Sequence, residues 1–497
     1  MSKKIMFQGT GSTVGKSLIT AAICRILNDK GYNVAPFKSQ NMSLNSYVTQ
    51  DGKEMGRAQV VQAEAARIEP MVEMNPVLLK PTSDIGSQII LNGKVFNQLK
   101  ASDYYRNKEY LMTEVIKAFR TLEEKYDIIV IEGAGSPAEI NLRKNDIVNM
   151  GLAEAIDTPV VLIGDIDKGG VFASIYGTYM LLSSSEQKRI KGYIINKFRG
   201  DVTLLQPGID MFYEKLPIPC LGVIPYSDFQ IDDEDSVTTR FEKPKEGSIH
   251  IGVIRLPYMS NFTDFTALEL EQDVSVKYLA TKDDFEEIDL LIIPGSKSTI
   301  ADRIYLQNSG LDEKIYRCHK KRTPIIGICG GYQILGKTIK DPFGVETERK
   351  EVNGLGLLNI NTVLEEEKKT IQRTGQILVN FDNGGKTQGK NVEGYEIHMG
   401  KTEHLDNESD FILLEEGLYD GCVNQEGTVF GTYLHGIFDS HEFREALLEP
   451  IRRKKGLNLN PSRHYRELKE EAYDYLGKVV NESLDIEAIM NIIESSN

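Results

Sequence analysis

Short apolar runs alternate with helical stretches along the first half of the chain. Residues 5–7, 34–37, 128–131, 160–163, 193–196 and 221–224 are apolar runs bounded by polar or glycine-rich segments, the pattern of buried strands. Between them, residues 18–27, 55–68 and 110–126 repeat apolar positions at helical spacing. This alternation predicts an α/β fold, a mostly parallel sheet with helices on both faces. The pattern breaks at residues 241–248, F-E-K-P-K-E-G-S, and then resumes. Strands at 249–254, 289–293 and 428–434, with an apolar strand at 324–329 leading into a helix at 330–335, predict a second α/β domain. The stretch 466–493 is helical and charged and is expected on the outside. The organisation expected is therefore an N-terminal domain (1–240), a linker (241–248), a second domain (249–445) and a C-terminal helical extension (446–497).

Composition narrows the class without changing this picture. At 497 residues, 40% hydrophobic and 26% charged, the chain reads as an ordinary soluble protein of several domains. No apolar run approaches the roughly 18 residues that a membrane span needs, and Met-Ser-Lys-Lys leads straight into a strand with no secretory pattern. The five cysteines are scattered without a C-x-x-C pair, which points to the cytoplasm and away from disulfides or structural zinc. A formal charge of −15 disfavours nucleic acid and anionic membranes as partners. A polyanionic ligand must then be met by local lysines, arginines and backbone donors.

In parallel sheets, chemistry gathers beyond the carboxyl ends of the strands. After the first strand comes Q-G-T-G-S-T-V-G-K-S, residues 8–17. Backbone N–H groups of Gly11, Ser12, Thr13, Val14 and Gly15 are placed to cradle phosphates at a helix N-terminus. Lys16 would reach the outer phosphates and the Ser17 hydroxyl would sit on Mg²⁺. Thr10 stands where a strict P-loop has its first glycine, and Gly9 comes one residue early; the competing reading is a glycine-rich turn that binds nothing. The variant resembles the loop of the dethiobiotin synthetase-like ATPases. Glu132 ends the third strand, where a carboxylate can hold Mg²⁺. A second metal ligand is Asp51, Glu54 or neither. Lys38, after the second strand, and Asn196, after the fifth, complete the expected ATP site. The acidic run 232–235 reads as a solvated loop.

The second half carries G-I-C-G-G, apolar strand to tight turn to helix, with Cys329 at its centre. That turn exposes a nucleophile, and the helix N-terminus favours thiolate over thiol. Backbone donors at Gly330 and around Gly295 and Ser296 are expected to form an oxyanion hole. His435, between a strand and a tight turn, is the best base among seven histidines. His398 either lines the site or packs, and the other four cysteines are expected to be inert.

G-I-C-G-G-Y-Q-I-L-G and the later Y-L-H-G resemble the glutaminase domain of the triad-type (class I) glutamine amidotransferases. Most of that class place a glutamate two residues after the histidine; here Ile437 stands there. This departure matches the cobyrinic/cobyric acid synthase family, which works with cysteine and histidine alone. K-S-Q-N-M-S-L-N-S (38–46), G-R-A-Q (56–59), G-D-I-D-K-G-G-V-F (164–172), N-K-F-R-G-D (196–201) and S-N-F-T-D-F (260–265) resemble the same family across nearly the whole chain. The resemblance implies a C–N ligase with ATP and Mg²⁺ as cofactors, glutamine as nitrogen donor and a corrinoid polycarboxylate as substrate. It further implies adenosylcobyrinic acid a,c-diamide amidated at its b, d, e and g carboxylates. Cys329 would release ammonia, His435 would shuttle the proton, and ammonia would pass by a sheltered route to a substrate acyl phosphate, with Lys38 steadying the transferred phosphoryl group. The alternatives are an a,c-diamide synthase and a P-loop switch protein with a dead amidase domain.

Overall fold

The computed structural model describes residues 2–83, 86–100, 108–227, 229, 231, 245–381, 388–405, 408–459 and 461–496. The acidic run 232–235 and residues 241–244 of the expected linker lie outside them. The chain forms two compact units that do not follow its linear order. The first comprises Met1–Ser43, Glu54–Glu234 and Lys469–Asn497; the second comprises Leu44–Lys53 and Asp235–Leu468. A short piece of the N-terminal half thus belongs to the second unit, and the end of the chain belongs to the first.

The first unit is built on β1 (Lys3–Gly9), β2 (Val34–Phe37), β3 (Ile128–Glu132), β4 (Val160–Asp165), β5 (Ile190–Phe198) and β6 (Cys220–Pro225). They form one sheet in the order β6-β5-β4-β1-β3-β2, parallel throughout. All of the expected strands are present, because strands covered on both faces are apolar at every position and stand out as continuous runs. The register sets Phe7 beside Glu132 and Gly9 beside Ile163. The ends of β3, β1 and β4 therefore open onto one crevice, where the strand order reverses.

A second, four-stranded sheet of Gln40–Met42, Val77–Ser83, Gly86–Leu91 and Lys94–Lys100 is not in the sequence expectation, which has residues 38–46 as a polar loop. One of its hairpins turns at Asn92-Gly93, both with positive φ (48° and 80°). Asn-Gly is the residue pair such a two-residue turn favours.

The C-terminal helices Tyr465–Ser483 and Ile486–Glu494 overturn the expectation of an outer extension. Tyr473, Leu476, Val480, Leu484, Ile489 and Ile493 are buried in the core of the first unit with Ile19, Ile23 and Leu221. Fully buried Arg25 carries its charge to Glu470, 2.5 Å away, with its guanidinium 5.7 Å from the centre of the Tyr473 ring. The charges of this stretch occupy one face and its apolar stripe the other, the arrangement of a helix with a buried side.

In the second unit β7 (Ile249–Ile254), β8 (Val274–Leu279), β9 (Leu290–Ile293), β10 (Ile325–Ile328), β11 (Ile360–Ile377), β12 (Asn391–His404), β13 (Ser409–Leu414), β14 (Tyr419–Val423), β15 (Val429–Thr432) and β16 (Leu434–His435) share one sheet. The run β8-β7-β9-β10-β15 is parallel, and β14, β13 and β11 continue it antiparallel. The single strand expected at 428–434 is broken: β15 pairs with β10, whereas β16 pairs with β12 and sets His435 opposite Tyr395. Buried Asp420 holds the break, accepting from the Thr432 hydroxyl and from the backbone N–H of Tyr433. Among the described residues no helix is long and apolar enough to cross a membrane.

Leu476 is 1% exposed. Leu476→Ala is expected to cost about 2–5 kcal/mol, read as a lower denaturant midpoint. Lys478→Ala, on the exposed face of the same helix, is expected to stay within about 0.5 kcal/mol.

Candidate active sites

The phosphate-loop sequence lies between β1 and the helix Lys16–Asp29. Gly15 precedes that helix with φ 95° and has no side chain with which to cap it, the kind of helix N-terminus at which an anion can take the cap's place. Asn196 lies under the loop: its Nδ2 donates to the Val14 carbonyl at 2.8 Å, and a Cβ on Gly15 would stand 2.2 Å from the same nitrogen. The expected nucleotide residue thus buttresses the cradle. Lys16 arches back over it, with Nζ 3.0 Å from the Gly11 carbonyl, 3.1 Å from that of Ser12 and 3.3 Å from that of Gly135. Two lysines from stretches singled out in the sequence without individual roles, 164–172 and 196–201, steady the other side. Lys168 donates to the Thr13 hydroxyl at 2.5 Å; Lys197 donates to the Thr13 carbonyl at 2.7 Å and pairs with Asp165 at 2.9 Å.

Glu132 is buried at the end of β3 and gathers the rest of this site. Its Oε1 accepts from the Ser17 hydroxyl at 2.8 Å and from Lys38 Nζ at 2.9 Å, and its Oε2 accepts from Gln62 Nε2 at 2.5 Å. The structure therefore brings Ser17, Lys38 and Glu132 together as expected, and adds Gln62 from the helix Arg57–Ala65. A hydroxyl and a carboxylate in contact are hard oxygen donors of the kind Mg²⁺ takes, so the residues fit that ion. The two other acids considered have different partners. Asp51 pairs with Thr49 at 2.5 Å and Lys53 at 2.8 Å, and buried Glu54 pairs with buried Lys80 at 2.8 Å.

In the second unit Cys329 follows β10 with φ 50° and ψ −106°, a conformation that costs a residue with a Cβ of order 1–3 kcal/mol. Its N–H donates to the Thr432 carbonyl at 2.8 Å, and its own carbonyl accepts from Gln333 at 3.1 Å. The turn closes only because its neighbours lack side chains. A Cβ on Gly330 would stand 2.8 Å from the backbone nitrogen of Ser296, and one on Gly295 would stand 2.8 Å from Cε1 of His435. Cys329, Gly330, Gly295 and His435, expected from separate motifs, thus occupy one place. The Gly295-Ser296 loop is pinned from below, where the Ser296 hydroxyl donates to Asp302 at 2.5 Å. Burial pushes Asp302 up to about 7 despite hydrogen bonds from Ser296 and the Tyr258 N–H.

His435 is buried and hydrogen-bonded to the Cys329 thiol. Its Nδ1 lies 2.7 Å from Oδ2 of Asp264, whose Oδ1 accepts from the N–H of Gly436 at 2.9 Å. Burial pulls the imidazole's pKa down. Electrostatic interaction with Asp264 and Cys329, with hydrogen bonds to both, overcomes this and raises it to about 10. The resemblance implies cysteine and histidine alone, with the third member left open; the structure sets an acid against the imidazole. Ile437 is core, but a carboxylate reaches the imidazole from S-N-F-T-D-F, a motif singled out in the sequence without a role.

His398 has both ring nitrogens against acceptors, Nδ1 2.8 Å from the Gly400 carbonyl and Nε2 2.9 Å from Glu396, and its ring stacks on Tyr433 at 3.8 Å. Burial raises the Glu396 carboxyl's pKa, but hydrogen bonds from His398, Lys369 and Arg373 bring it down to about 2. These groups line a cavity of about 340 Å³, and the carbonyl of Ile397, between Glu396 and His398, lies 3.8 Å from the Cys329 sulfur. His398 thus lines this cavity, and the residue before it on the same strand meets the thiol. Burial pushes the pKa of the other four thiols up, that of Cys422 to about 12.

The two halves match two family models. Residues 5–236 match a CobQ/CobB/MinD/ParA nucleotide binding domain, and residues 250–443 match a CobB/CobQ-like glutamine amidotransferase domain. The whole chain is similar to a cobyric acid synthase of Clostridium botulinum (strain Okra / Type B1), 52% identical over 496 residues and covering 99% of each chain. It is 51% identical over 492 residues to a cobyric acid synthase of Clostridium acetobutylicum, covering 99% of this chain and 98% of that one. A cobyric acid synthase of Alkaliphilus metalliredigens is 52% identical over 500 residues, covering 98% of this chain and 99% of its own. At about half identity over nearly the whole of each chain, the chain belongs to the cobyric acid synthase family.

Proposed function

We propose that the chain amidates the b, d, e and g carboxylates of adenosylcobyrinic acid a,c-diamide, spending ATP and drawing nitrogen from glutamine. The observation that supports this reading most is the Cys329 thiol on a strained turn, hydrogen-bonded to an imidazole that is itself held by a carboxylate. An imidazole raised to about 10 is protonated at neutral pH and so stands beside the sulfur as an acid. The thiolate attacks the glutamine side-chain carbonyl, and the oxyanion is met by backbone donors at Gly330 and the Gly295-Ser296 loop. His435 protonates the leaving ammonia as the C–N bond breaks, leaving a thioester on Cys329. Water, losing its proton to His435, then releases glutamate. Asp264 keeps the imidazole oriented and stabilises its positive charge through both halves of this cycle.

In the first unit the γ-phosphoryl of ATP passes to a substrate carboxylate, and ammonia displaces phosphate from the acyl phosphate. Lys16 and Lys38 neutralise charge on the transferred group. Ser17 and Glu132 would hold Mg²⁺, which when bound supplies further positive charge to the phosphates. Gln62 fixes the second oxygen of Glu132, so the carboxylate meets the site in one orientation.

Three variants have stated outcomes. Cys329→Ala abolishes glutamine-supported amidation and leaves ammonia-supported amidation, whereas Lys16→Ala stops both while glutamine hydrolysis partly survives; mass spectrometry of the corrinoid, counting OH-to-NH₂ replacements, reads each case. A product that stops short of amidation at b, d, e and g with the native chain would sink the assignment of substrate. Asp264→Asn keeps an acceptor for Gly436 but removes the charge beside the imidazole. Glutamine hydrolysis is then expected to fall by about 10²–10⁴-fold. Losing a negative neighbour disfavours the protonated ring, so the His435 titration, followed by NMR of histidine-labelled protein, moves to lower pH from about 10.

A further inference from the structure

The turn that carries Asp264 is held by a piece of the chain from far upstream. Leu44–Lys53 belongs to the second unit although its neighbours on both sides belong to the first. Asn45 sends its Oδ1 to the backbone N–H of Phe262 at 3.0 Å, and Asn261 sends its Oδ1 to the backbone N–H of Ser46 at 3.0 Å. The exchange is reciprocal, each asparagine holding the other's following backbone, and both are 1% exposed. Asn261 has φ 52° and opens the turn Phe262–Phe265. Among residues with a side chain, asparagine is one of the few that takes this left-handed conformation readily. Its carbonyl accepts from the N–H of Asp264 at 3.0 Å.

The same segment reaches His435 from a second direction. The Ser46 carbonyl accepts from the Tyr395 hydroxyl at 3.0 Å. The Tyr395 ring stacks on the His435 imidazole with 5.6 Å between centroids and 24° between planes. The acid on Nδ1 and the ring on the face of the imidazole are therefore both tied to residues 45 and 46.

We propose that Asn45 and Asn261 are positioning residues for the glutaminase reaction, fastening residues 45–46 to the turn of Asp264 and so setting the orientation of His435. The inference rests on the reading of Cys329 and His435 as the glutaminase pair. Neither asparagine is required to touch glutamine; each acts through Asp264 and Tyr395. Truncating a buried acceptor leaves a backbone N–H without its partner and lets the turn drift, and displacements of this size in a reacting constellation are felt in kcat.

The test uses the full chain with Asn261→Gly, which keeps the left-handed backbone, and with Asn45→Ala and Asn45→Asp, the last of which keeps the acceptor. Both truncations are expected to lower kcat for glutamine hydrolysis by about tenfold or more, with the glutamine KM within about twofold of the native value. Asn45→Asp is expected to recover most of that loss, and ammonia-supported amidation in both truncations is expected to stay near the native rate. Native kcat in both truncations, a rise in KM alone, or an equal fall of the glutamine- and ammonia-supported rates would overturn the proposal. Cys329→Ala is measured alongside: glutamine hydrolysis surviving there would overturn the underlying reading instead, so the two failures are told apart.

Discussion

A buried, charged imidazole is the constraint around which the second unit is arranged. His435 lies 2.7 Å from Asp264 and within a hydrogen bond of Cys329. Away from water, a positive ring is tolerable only while its counter-charges stay in contact. Every element that delivers one of these groups must therefore end in the right place. β10 brings Cys329, the break between β15 and β16 brings His435, and the turn Phe262–Phe265 brings Asp264. Close approach does the rest, since the turn after Cys329 and the Gly295 loop come together only where side chains are missing. Pairs of this kind contribute little net stability, because desolvation offsets the attraction, but removing one partner leaves a costly buried charge. They specify an arrangement more than they strengthen the fold.

The first unit solves a similar problem around Glu132. A carboxylate at the end of a wholly apolar strand gathers a hydroxyl, an ammonium and an amide from three separate stretches, Ser17, Lys38 and Gln62. The parallel register places that strand beside β1, so the cradle for phosphate and the acid that faces it arrive together. Lysines after β4 and β5 then tie down Thr13 in the loop. The lysine proposed to neutralise phosphate charge also holds the loop in shape through backbone carbonyls, as Lys16 does on Gly11 and Ser12. The anionic balance of the chain, −15 overall, makes this local supply of cations the means of meeting a nucleotide.

Much of this was legible in the sequence. The strands of the first sheet stand out because each carries a short apolar run, and the glycine-rich turns at Lys16 and Cys329 carry the spacing of a phosphate cradle and a nucleophile turn. The Asn92-Gly93 hairpin was legible too but went unassigned, its strands being short and partly polar. The C-terminal helices carried their apolar stripe at Tyr473, Leu476 and Val480 in plain view, yet the charges between them outweighed it until the core showed which face was buried.

Local pattern determined most of the element types, the glycine-rich turn before Lys16, the turn at Cys329 and the residues on which the proposed chemistry draws, because backbone sterics and burial act over a few neighbouring positions. Only the tertiary structure decided which acid meets His435. Asp264 lies 171 positions upstream of it, in a motif with no ionisable partner nearby in the sequence. The bond from Phe262 to Asn45 spans 217 positions. Neither spacing leaves any periodicity to read. The pairing exists because the sheet turns β16 away from β15 and because ten residues from one half of the chain, Leu44–Lys53, fold into the other unit.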